Sequence, residues 1–487
     1  MPAITGAGEE TLPAGKPNVV FVLVDDLDVQ VYQSGLDAGL FPNLRALMSA
    51  GTTFTNSYVS MSLCCPSRAT LLTGQYGHNH GTVRNKGDSG GFKSFKDAST
   101  LAVWMKAGGY RTAMMGKYLN GYSVDQLDYV PPGWDTWNAL LKPTMYDYAM
   151  TVPGGYSRYG SAPEDYQTDV YANLADAFIR VPGSQPFYLA LNPSAPHLEG
   201  DVDEMDDGGV GIQPAPRHAG TPVVPLPARS LPSFNELDMS DKPAWLAETP
   251  LVDVLKQERV FNEKRTAMRA VDDMVGRLAR TLVEIGKWNN TLFIFASDNG
   301  FQYGSHRRSL VKVDPYEESI QVPLVIKSPG QRNARRTGTW ALNNDWAVTV
   351  MDYAGLQPGA GHVFDGRSLR PFVLEPRAAG GRQTMLVELP PIGKDGPHPP
   401  FVAVRSKDPA LTLDTVGGRT LVYIETLNAA GTAAIQYELY DLFTDPYQLN
   451  SLHRSLAPNR VRQRELLQQR LEALKSCVGT ACKALED

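Results

Sequence analysis

The sequence has no apolar run long enough to span a bilayer, which takes about 20 consecutive apolar residues. It has no excess of basic residues either, since 46 Lys and Arg stand against 52 Asp and Glu, with a formal net charge of −6. Internal repeats are also missing. The composition is that of an ordinary globular protein, so we expect no nucleic acid and no membrane among its partners.

Cysteine is scarce: the four cysteines form two close pairs, Cys64 with Cys65 and Cys477 with Cys482. A disulfide between the second pair would indicate an oxidising compartment, and two free thiols in a cytosolic enzyme are the alternative. Residues 1–16 lack the basic start and the apolar stretch of a signal peptide. We therefore expect a secreted or periplasmic protein whose leader has been removed, or else a cytoplasmic one, with residues 1–16 as a disordered or flexible N-terminus.

Two apolar runs end in acidic or amide side chains. The run Asn18–Val24 has the near-continuous hydrophobicity of a strand buried on both faces of a mainly parallel sheet, and so has Thr291–Ala296. The polar residues that follow these runs are Asp25, Asp26, Asp298 and Asn299. Ligands of open α/β sheets bind at the carboxyl ends of strands. A cation site at this edge is one interpretation, and solvated turns are the other.

Patterns later in the chain complete an α/β architecture. Val260–Ile285 repeats apolar residues at helical spacing, and Val461–Leu474 is a terminal helix. Alternating residues in Phe401–Arg405 and Arg419–Ile424 predict a smaller antiparallel sheet. The fold class is therefore α/β, with a large, mostly parallel mixed sheet sandwiched by helices, followed by a smaller antiparallel sheet plus helix. The expected division is a catalytic domain over residues 17–375 and a C-terminal α+β subdomain over residues 376–487.

The stretch Ser62–Gly74 joins a thiol, a turn and a helix start. Pro66 suits a first helical turn and Gly74 can end the helix, so Cys64 is expected just before a helix N-terminus. Such an end suits an oxyanion, and Arg68 adds a planar, doubly donating guanidinium. For an isolated cysteine, a buried structural role would be the default interpretation.

The order Cys-x-Pro-Ser-Arg, followed by Leu-Thr-Gly, resembles the signature of the type I sulfatases of the alkaline-phosphatase superfamily. The resemblance extends from Asn18 to about Leu452 and is nearest to the N-acetylglucosamine-6-sulfatase and arylsulfatase branch. It implies an alkaline-phosphatase-like fold. It also implies that a formylglycine-generating enzyme oxidises Cys64 to formylglycine, whose hydrate attacks sulfur to give a covalent sulfo-enzyme intermediate.

Three further motifs carry the resemblance. Gly109-Tyr110 followed by Gly116-Lys117 resembles the second sulfatase signature, which implies that Lys117 contacts formylglycine and sulfate. His197 and Lys312 match family residues at the sulfate and at the leaving oxygen, which they stabilise and protonate. Asp298 is the implied helper in deprotonating the nucleophile. The expected catalytic residues are Cys64, Arg68, Lys117, His197, Asp298 and Lys312.

The resemblance also implies a metal site formed by Asp25, Asp26, Asp298, Asn299 and the modified Cys64. Carboxylate and amide oxygens are hard ligands, which select calcium or magnesium over zinc. Calcium is the ion expected from the family, and magnesium is the alternative.

The chain departs from the family pattern after Lys117. Many sulfatases have a histidine two residues later, whereas this chain has Leu119. Asn120, or a histidine from elsewhere such as His80, is a candidate for that space, although a structural role is equally consistent for His80. His306 is a candidate pocket residue, with a solvated loop histidine as the alternative.

The sequence therefore predicts a sulfuric ester hydrolase that cleaves a small sulfate monoester, aryl or carbohydrate, with glucosamine 6-sulfate among the candidates. Two alternatives stay open. One is a phosphonate or phosphate ester hydrolase on the same scaffold. The other is a non-catalytic relative that binds sulfated glycans.

Overall fold

The structure, a computed structural model, describes residues 15–199, 211–391, 399–414 and 417–487. Most of the predicted flexible N-terminus, residues 1–14, lies outside the described residues. The strands are β1 (Asn18–Val24), β2 (Thr52–Tyr58), β3 (Arg111–Gly116), β4 (Thr136–Ala139), β5 (Ala149–Val152), β6 (Gly155–Arg158), β7 (Phe187–Asn192), β8 (Thr291–Ser297), β9 (Leu324–Lys327), β10 (Arg335–Leu342), β11 (Thr384–Leu389), β12 (Phe401–Ser406), β13 (Leu421–Leu427) and β14 (Ala434–Asp441).

The α-helices of the described residues are α1 (Val29–Asp37), α2 (Pro42–Ser49), α3 (Cys64–Thr73), α4 (Gly77–His80), α5 (Gly91–Ser94), α6 (Leu101–Ala107), α7 (Gln167–Arg180), α8 (Ala244–Ala247), α9 (Val254–Glu284), α10 (Glu317–Ile320), α11 (Asp345–Ala354), α12 (Arg370–Leu374), α13 (Pro409–Thr412), α14 (Pro458–Leu474) and α15 (Thr480–Glu486). In this part of the chain no helix combines the length and the apolar character needed to cross a bilayer.

Eight strands form the main sheet, in the order β10-β2-β9-β8-β1-β7-β3-β4. All neighbouring pairs are parallel except β2 with β9 and β8 with β9. β9 therefore runs against the other seven strands, whose carboxyl ends lie at one edge of the sheet. The predicted α/β class with a mostly parallel mixed sheet is confirmed.

Strand β1 lies at the middle of this sheet because its residues are apolar on both faces. Val19, Phe21 and Leu23 pack into one hydrophobic core, whereas Val20, Val22 and Val24 pack into the other. A strand with two buried faces has no polar face for water. The first polar side chains after it, Asp25 and Asp26, are held at the edge of the sheet and are also buried.

The second sheet is antiparallel, with strand order β11-β12-β13-β14. Its residues Leu386, Val404 and Ile424 belong to the same core as one face of the main sheet, and so does Leu471 of α14. A disulfide joins Cys477 to Cys482, as predicted. The domain boundary at residues 375 and 376 stays a prediction; it falls between the end of α12 and the start of β11.

Candidate active site

The expected site residues lie where the strands of the main sheet end. Asp25 and Asp26 follow β1, Lys117 follows β3, and Asp298 with Asn299 follows β8. His197 comes five residues after β7, and Cys64 comes after β2. All of them are buried. The parallel topology thus brings into contact residues as far apart in the chain as Asp26 and Asn299, which are separated by 273 positions.

Helix α3 carries Cys64, and it begins at Cys64 itself rather than after it. The extended backbone of Leu63 precedes the helix, and the Leu63 carbonyl accepts the first bond of the helical ladder from the Ser67 N–H, at 2.9 Å. The expected end is present: Gly74 is left-handed, with φ 67°. The first turn of the helix therefore places residue 64 at the carboxyl edge of the sheet.

The Cys64 thiol lies between a cation and a carboxylate. Its Sγ is 2.8 Å from Lys312 Nζ and 3.6 Å from Asp25 Oδ1. Burial raises the pKa of Cys64 to about 11, although the two neighbouring lysines oppose this effect. The unmodified residue is therefore a neutral thiol at neutral pH, and a thiol is a much weaker nucleophile than a thiolate.

Each of the two adjacent carboxylates is paired with a buried lysine. Lys117 Nζ donates to Asp25 Oδ2 at 2.5 Å, and Lys312 Nζ donates to Asp26 Oδ1 at 2.5 Å. Burial alone would raise the pKa of both carboxyls, but the positive charges of these lysines outweigh it. They hold the pKa of Asp25 well below its usual range and lower that of Asp26 to about 2. Both side chains are therefore carboxylates at neutral pH.

Arg68 connects Asp298 to the strand exits. Its Nε donates to Asp298 Oδ2 at 2.8 Å, and its Nη1 donates to the Lys117 carbonyl at 2.7 Å. The remaining nitrogen, Nη2, is buried, lies 3.6 Å from Asp25 Oδ1 and makes no hydrogen bond. Burial and the charge of Asp25 raise the pKa of Asp298 to about 7. One guanidinium N–H pair thus remains available to an oxyanion.

Four side chains form a cluster that could hold a metal ion: one ligand atom from each of Asp25, Asp26, Cys64 and His197, all within 4.8 Å of one another. His197 Nε2 lies 3.7 Å from Asp26 Oδ2, and its Nδ1 pairs with the Leu198 carbonyl. A carbonyl only accepts, so Nδ1 carries the proton and Nε2 keeps its lone pair. Burial lowers the pKa of His197 to about 4.

Asn299 completes the oxygen-rich side of this cluster. Its Nδ2 donates to Asp26 Oδ1 at 2.7 Å, whereas its Oδ1 is buried without a hydrogen-bond partner. A buried acceptor without a partner is costly unless something positive meets it. The carboxylates and this oxygen fit a hard divalent cation. Asp298, the other expected ligand, has its oxygens on Arg68 Nε and on the Asp26 N–H.

The three expected substrate-binding candidates lie apart from this cluster. His80 accepts from the Thr82 N–H at Nδ1 and therefore donates from Nε2 to Thr70 Oγ1, at 3.0 Å. Asn120 contacts Cys65, with its N–H 2.9 Å from Cys65 Sγ. These contacts do not reach Lys117 or Cys64. Burial lowers the pKa of His80 to about 3, so it is a neutral structural histidine near neutral pH.

His306 is buried, so the alternative of a solvated loop histidine is wrong. Its Nδ1 lies 2.6 Å from Glu236 Oε2, and its ring centroid lies 4.4 Å from that of Tyr316. It therefore ties the loop before Lys312 to the segment around Glu236. The partners of His306 are thus Glu236 and Tyr316, and neither is an expected site residue.

Sequence reasoning missed a buried residue beneath the acidic pair. Lys264 of α9 donates from Nζ to the Asp26 carbonyl, at 2.7 Å. A signal was present: Lys264 stands four residues before Met268 and seven before Val271, on the apolar stripe of the helix. A lysine at this position of the apolar stripe predicts a buried side chain.

The carboxyl edge of the mostly parallel sheet holds an anionic cluster of possible metal ligands, residue 64 at a helix start and three buried cations. This arrangement is suited to hydrolysing an anionic ester. The sulfatase family model matches residues 17–356. The chain belongs to the sulfatase family, and it is a sulfuric ester hydrolase.

Individual relatives agree with the family model. The chain is 30% identical to an N-acetylglucosamine-6-sulfatase of Capra hircus, over 96% of this chain and 85% of the relative. It is also 30% identical to an arylsulfatase of Volvox carteri, over 96% of this chain and 76% of the relative. A solved structure in complex with its substrate, D-glucosamine-2-N,6-O-disulfate, has the same fold, with a TM-score of 0.72 at 22% identity over 96% of this chain and 98% of that one. The predicted family, branch and activity class are confirmed.

Proposed function

We propose that this sulfuric ester hydrolase removes a sulfate group from a saccharide, at a centre formed by Asp25, Asp26 and residue 64 after conversion of Cys64 to formylglycine. The observation that carries the proposal is the position of Cys64 Sγ, 2.8 Å from Lys312 Nζ and 3.6 Å from Asp25 Oδ1. A neutral, buried thiol there is a poor nucleophile but a well-placed precursor. Formylglycine would supply an aldehyde hydrate, one hydroxyl to attack sulfur and one to help expel sulfate.

Asp25, Asp26 and Asn299 are proposed to hold calcium together with residue 64. The unpartnered Oδ1 of Asn299 supports this set, and so do the two carboxylates that stay ionised. Calcium would supply positive charge where an oxyanion develops. Magnesium is the alternative ion, since it takes the same oxygen ligands at shorter distances. Asp298 stays a proposed ligand, because its oxygens have other partners here.

The cations around this cluster are proposed to orient the ester and to stabilise its charge. Arg68 Nη2 has no hydrogen-bond partner and can donate to the sulfate oxyanion. Lys117 Nζ is paired with Asp25, which places its charge next to residue 64 and the oxyanion. Lys312 lies on the Asp26 side, where its ammonium can stabilise and protonate the leaving oxygen. His197 lies on the same side with Nε2 toward Asp26, and it is proposed to assist once Nε2 has taken up a proton. Asp298, held by Arg68, is the proposed acceptor of the nucleophile's proton.

The saccharide part of the proposal rests on the relatives and on a pocket. The N-acetylglucosamine-6-sulfatases among the relatives favour a glucosamine 6-sulfate. A polar pocket of about 230 Å³ has Asn85 and Asn120 among its lining residues. Asn85 Oδ1 accepts from the Cys65 N–H at 3.0 Å, and Asn120 contacts the same residue. Two residues of this pocket thus contact the chain neighbour of residue 64, and the pocket is the proposed place for part of the sugar.

Maturation implies a partner and favours a compartment. The partner we propose is a formylglycine-generating enzyme that acts on Cys64. The Cys477–Cys482 disulfide favours an oxidising compartment, outside the cytoplasm.

Replacing Cys64 tests the assigned nucleophile position. We expect Cys64→Ala to abolish hydrolysis of an aryl sulfate while calcium binding, measured by calorimetry, is weakened but kept, because the ligand atom of residue 64 is lost whereas Asp25, Asp26 and Asn299 remain. Cys65→Ser is the matched control and should keep its turnover, since the Cys65 thiol faces Asn120. Turnover of the sulfate ester by Cys64→Ala would refute the assignment. Faster turnover of the matching aryl phosphate by the native chain would favour the phosphate ester alternative.

A further inference from the structure

Lys264 is a buried cation beneath the acidic cluster. Its side chain extends from α9, and its Nζ donates to the Asp26 carbonyl at 2.7 Å. The same Nζ lies 3.6 Å from the ring centroid of Phe301 and 5.7 Å from that of Tyr303. Lys264 therefore touches the segment after β1 and the segment after β8. These are the two segments that carry the proposed metal ligands.

This lysine is costly to keep. It is fully buried, and it forms no ion pair with any carboxylate of the described residues. Its charge is met by one carbonyl and by the faces of two aromatic rings. Burial lowers the pKa of Lys264 to about 8, in spite of Asp28 and Asp26 nearby. A neutral apolar residue of similar volume would pack here at a lower free-energy cost, so stability alone does not account for this buried ammonium.

The residue that it contacts has an unusual backbone. Asp26 has φ 61°, in the left-handed region that disfavours residues with a Cβ. That conformation turns the Asp26 carbonyl toward Lys264, while its side chain points to Lys312 and Asn299. Such a conformation persists only where the surroundings hold it. The bond from Lys264 is one of the contacts that does so, together with the Asp26 N–H on Asp298 Oδ1 at 3.1 Å.

Tyr303 extends the same support. Its hydroxyl donates to Asp28 Oδ2 at 2.8 Å, and Asp28 Oδ1 caps α1 by accepting from the Val31 N–H at 2.8 Å. Lys264 and Tyr303 therefore hold the loop from Asp25 to Asp28 at two points. One is the carbonyl of Asp26, and the other is the side chain of Asp28.

We propose that Lys264 is a positioning residue that holds Asp26 in its left-handed conformation and thereby aims the Asp26 carboxylate at the metal-binding position. The inference rests on the proposed metal site. Positioning and electrostatics act in opposite directions here. The positive charge of Lys264 repels a divalent cation, whereas the placement of the Asp26 carboxylate favours its binding. If charge alone mattered, removing Lys264 would tighten calcium binding. If positioning dominates, removing it weakens calcium binding.

Two variants separate these outcomes. Lys264→Met removes the donor and the charge, whereas Lys264→Gln removes the charge and keeps an N–H donor. Lys327→Met is the matched control. Lys327 of β9 is also buried, and its Nζ donates to a carbonyl, that of Trp288, at 2.7 Å, just before the start of β8. It controls for the general effect of removing a buried ammonium.

The measurement is a calcium titration of the metal-free proteins by calorimetry, with circular dichroism to show that each is folded. We expect Lys264→Met to weaken calcium binding by roughly tenfold or more, the loss that follows from one hydrogen bond to a charged group. Lys264→Gln should recover part of it, and Lys327→Met should bind like the native chain. Unchanged or tighter binding in both folded Lys264 variants would overturn the proposal. If Lys264→Met does not fold, Lys264→Gln decides by the same criterion. A native chain that binds no calcium would overturn the proposed metal site itself.

Discussion

At the scale of single residues, the centre is a balance of buried charges. Asp25, Asp26 and Asp298 supply three acidic groups, and three cations face them: Arg68, Lys117 and Lys312. Burying a charge is costly unless it is paired. A divalent cation added to this set makes the pocket net positive, which suits an entering sulfate monoester.

Asn299 provides the sharpest residue-level prediction for the metal. Its Oδ1 is a buried ligand oxygen of the proposed set, and it has no hydrogen-bond partner. We expect Asn299→Ala to reduce or abolish the rise in melting temperature that calcium causes, because one ligand oxygen is lost. Thermal unfolding with and without calcium measures this. Asn343→Ala serves as the control, since Asn343 is also buried but bonds to Ser67 Oγ, at 3.0 Å. An Asn299→Ala protein with the full calcium effect would contradict the proposed ligand.

The residues of the centre differ in how far the sequence predicts them. Cys64, Arg68 and Lys117 stand in motifs whose spacing identifies them. Lys264 has no such motif, and its contact with Asp26 spans 238 positions. The sequence leaves the role of His80 open, because that role depends on its tertiary contacts. In the structure both ring nitrogens are hydrogen-bonded, one to the Thr70 hydroxyl and one to the Thr82 N–H. Polar contacts of this kind depend on tertiary placement, which a pattern of residue types does not encode.

At the scale of elements, helix α4 joins the helix that carries residue 64 to the second sheet. His78 Nδ1 lies 3.2 Å from Glu388 Oε2 of β11, and its Nε2 lies 3.0 Å from the Cys477 carbonyl, beside the disulfide. Both partners are acceptors, so the contacts favour the imidazolium, in which both ring nitrogens donate. Burial would lower the pKa of His78, but the contact with Glu388 outweighs it and raises the pKa.

This contact predicts a pH-dependent stability. A folded-state pKa above the unfolded value means that the stabilisation is fully present below the unfolded pKa and is lost as the pH rises through the folded one. We therefore expect His78→Phe to lower the melting temperature more at about pH 5.5 than at about pH 9. Thermal unfolding of both proteins across this range is the measurement. His362, whose pKa is lowered mainly by burial, is the control, and His362→Phe should show no such loss at low pH. An effect of His78→Phe that is equal at both pH values would contradict the imidazolium.

Element boundaries show where local patterns are sufficient. The apolar run predicts β1 over Asn18–Val24, and the structure has the same bounds, because a run that ends at Asp25 has a clear end. Helix α9 begins at Val254 rather than at Val260, because Asp253 caps it by accepting from the N–H groups of Leu255 and Lys256. Leu255 is exposed, so the first turns carry no apolar stripe to reveal them.

At the scale of the whole molecule, the centre exists because seven strands run in one direction. Residues 25, 117 and 298 meet only when β1 lies between β7 and β8 and β3 lies beyond β7. The sequence predicts the fold class and the shared edge of the sheet. It does not predict the position of β2 and β10 beyond the antiparallel β9, since strand order depends on packing between distant segments. The placement of the second sheet on one face of the main core has the same cause.

The account depends most on the chemical state of residue 64. The measurement that tests it directly is the mass of the peptide carrying residue 64, taken from protein produced together with a formylglycine-generating enzyme, alongside its turnover of an aryl sulfate. We predict a loss of mass that matches conversion of the thiol side chain to an aldehyde, and a turnover proportional to the converted fraction. Full turnover by protein in which residue 64 is entirely an unmodified cysteine would contradict the account.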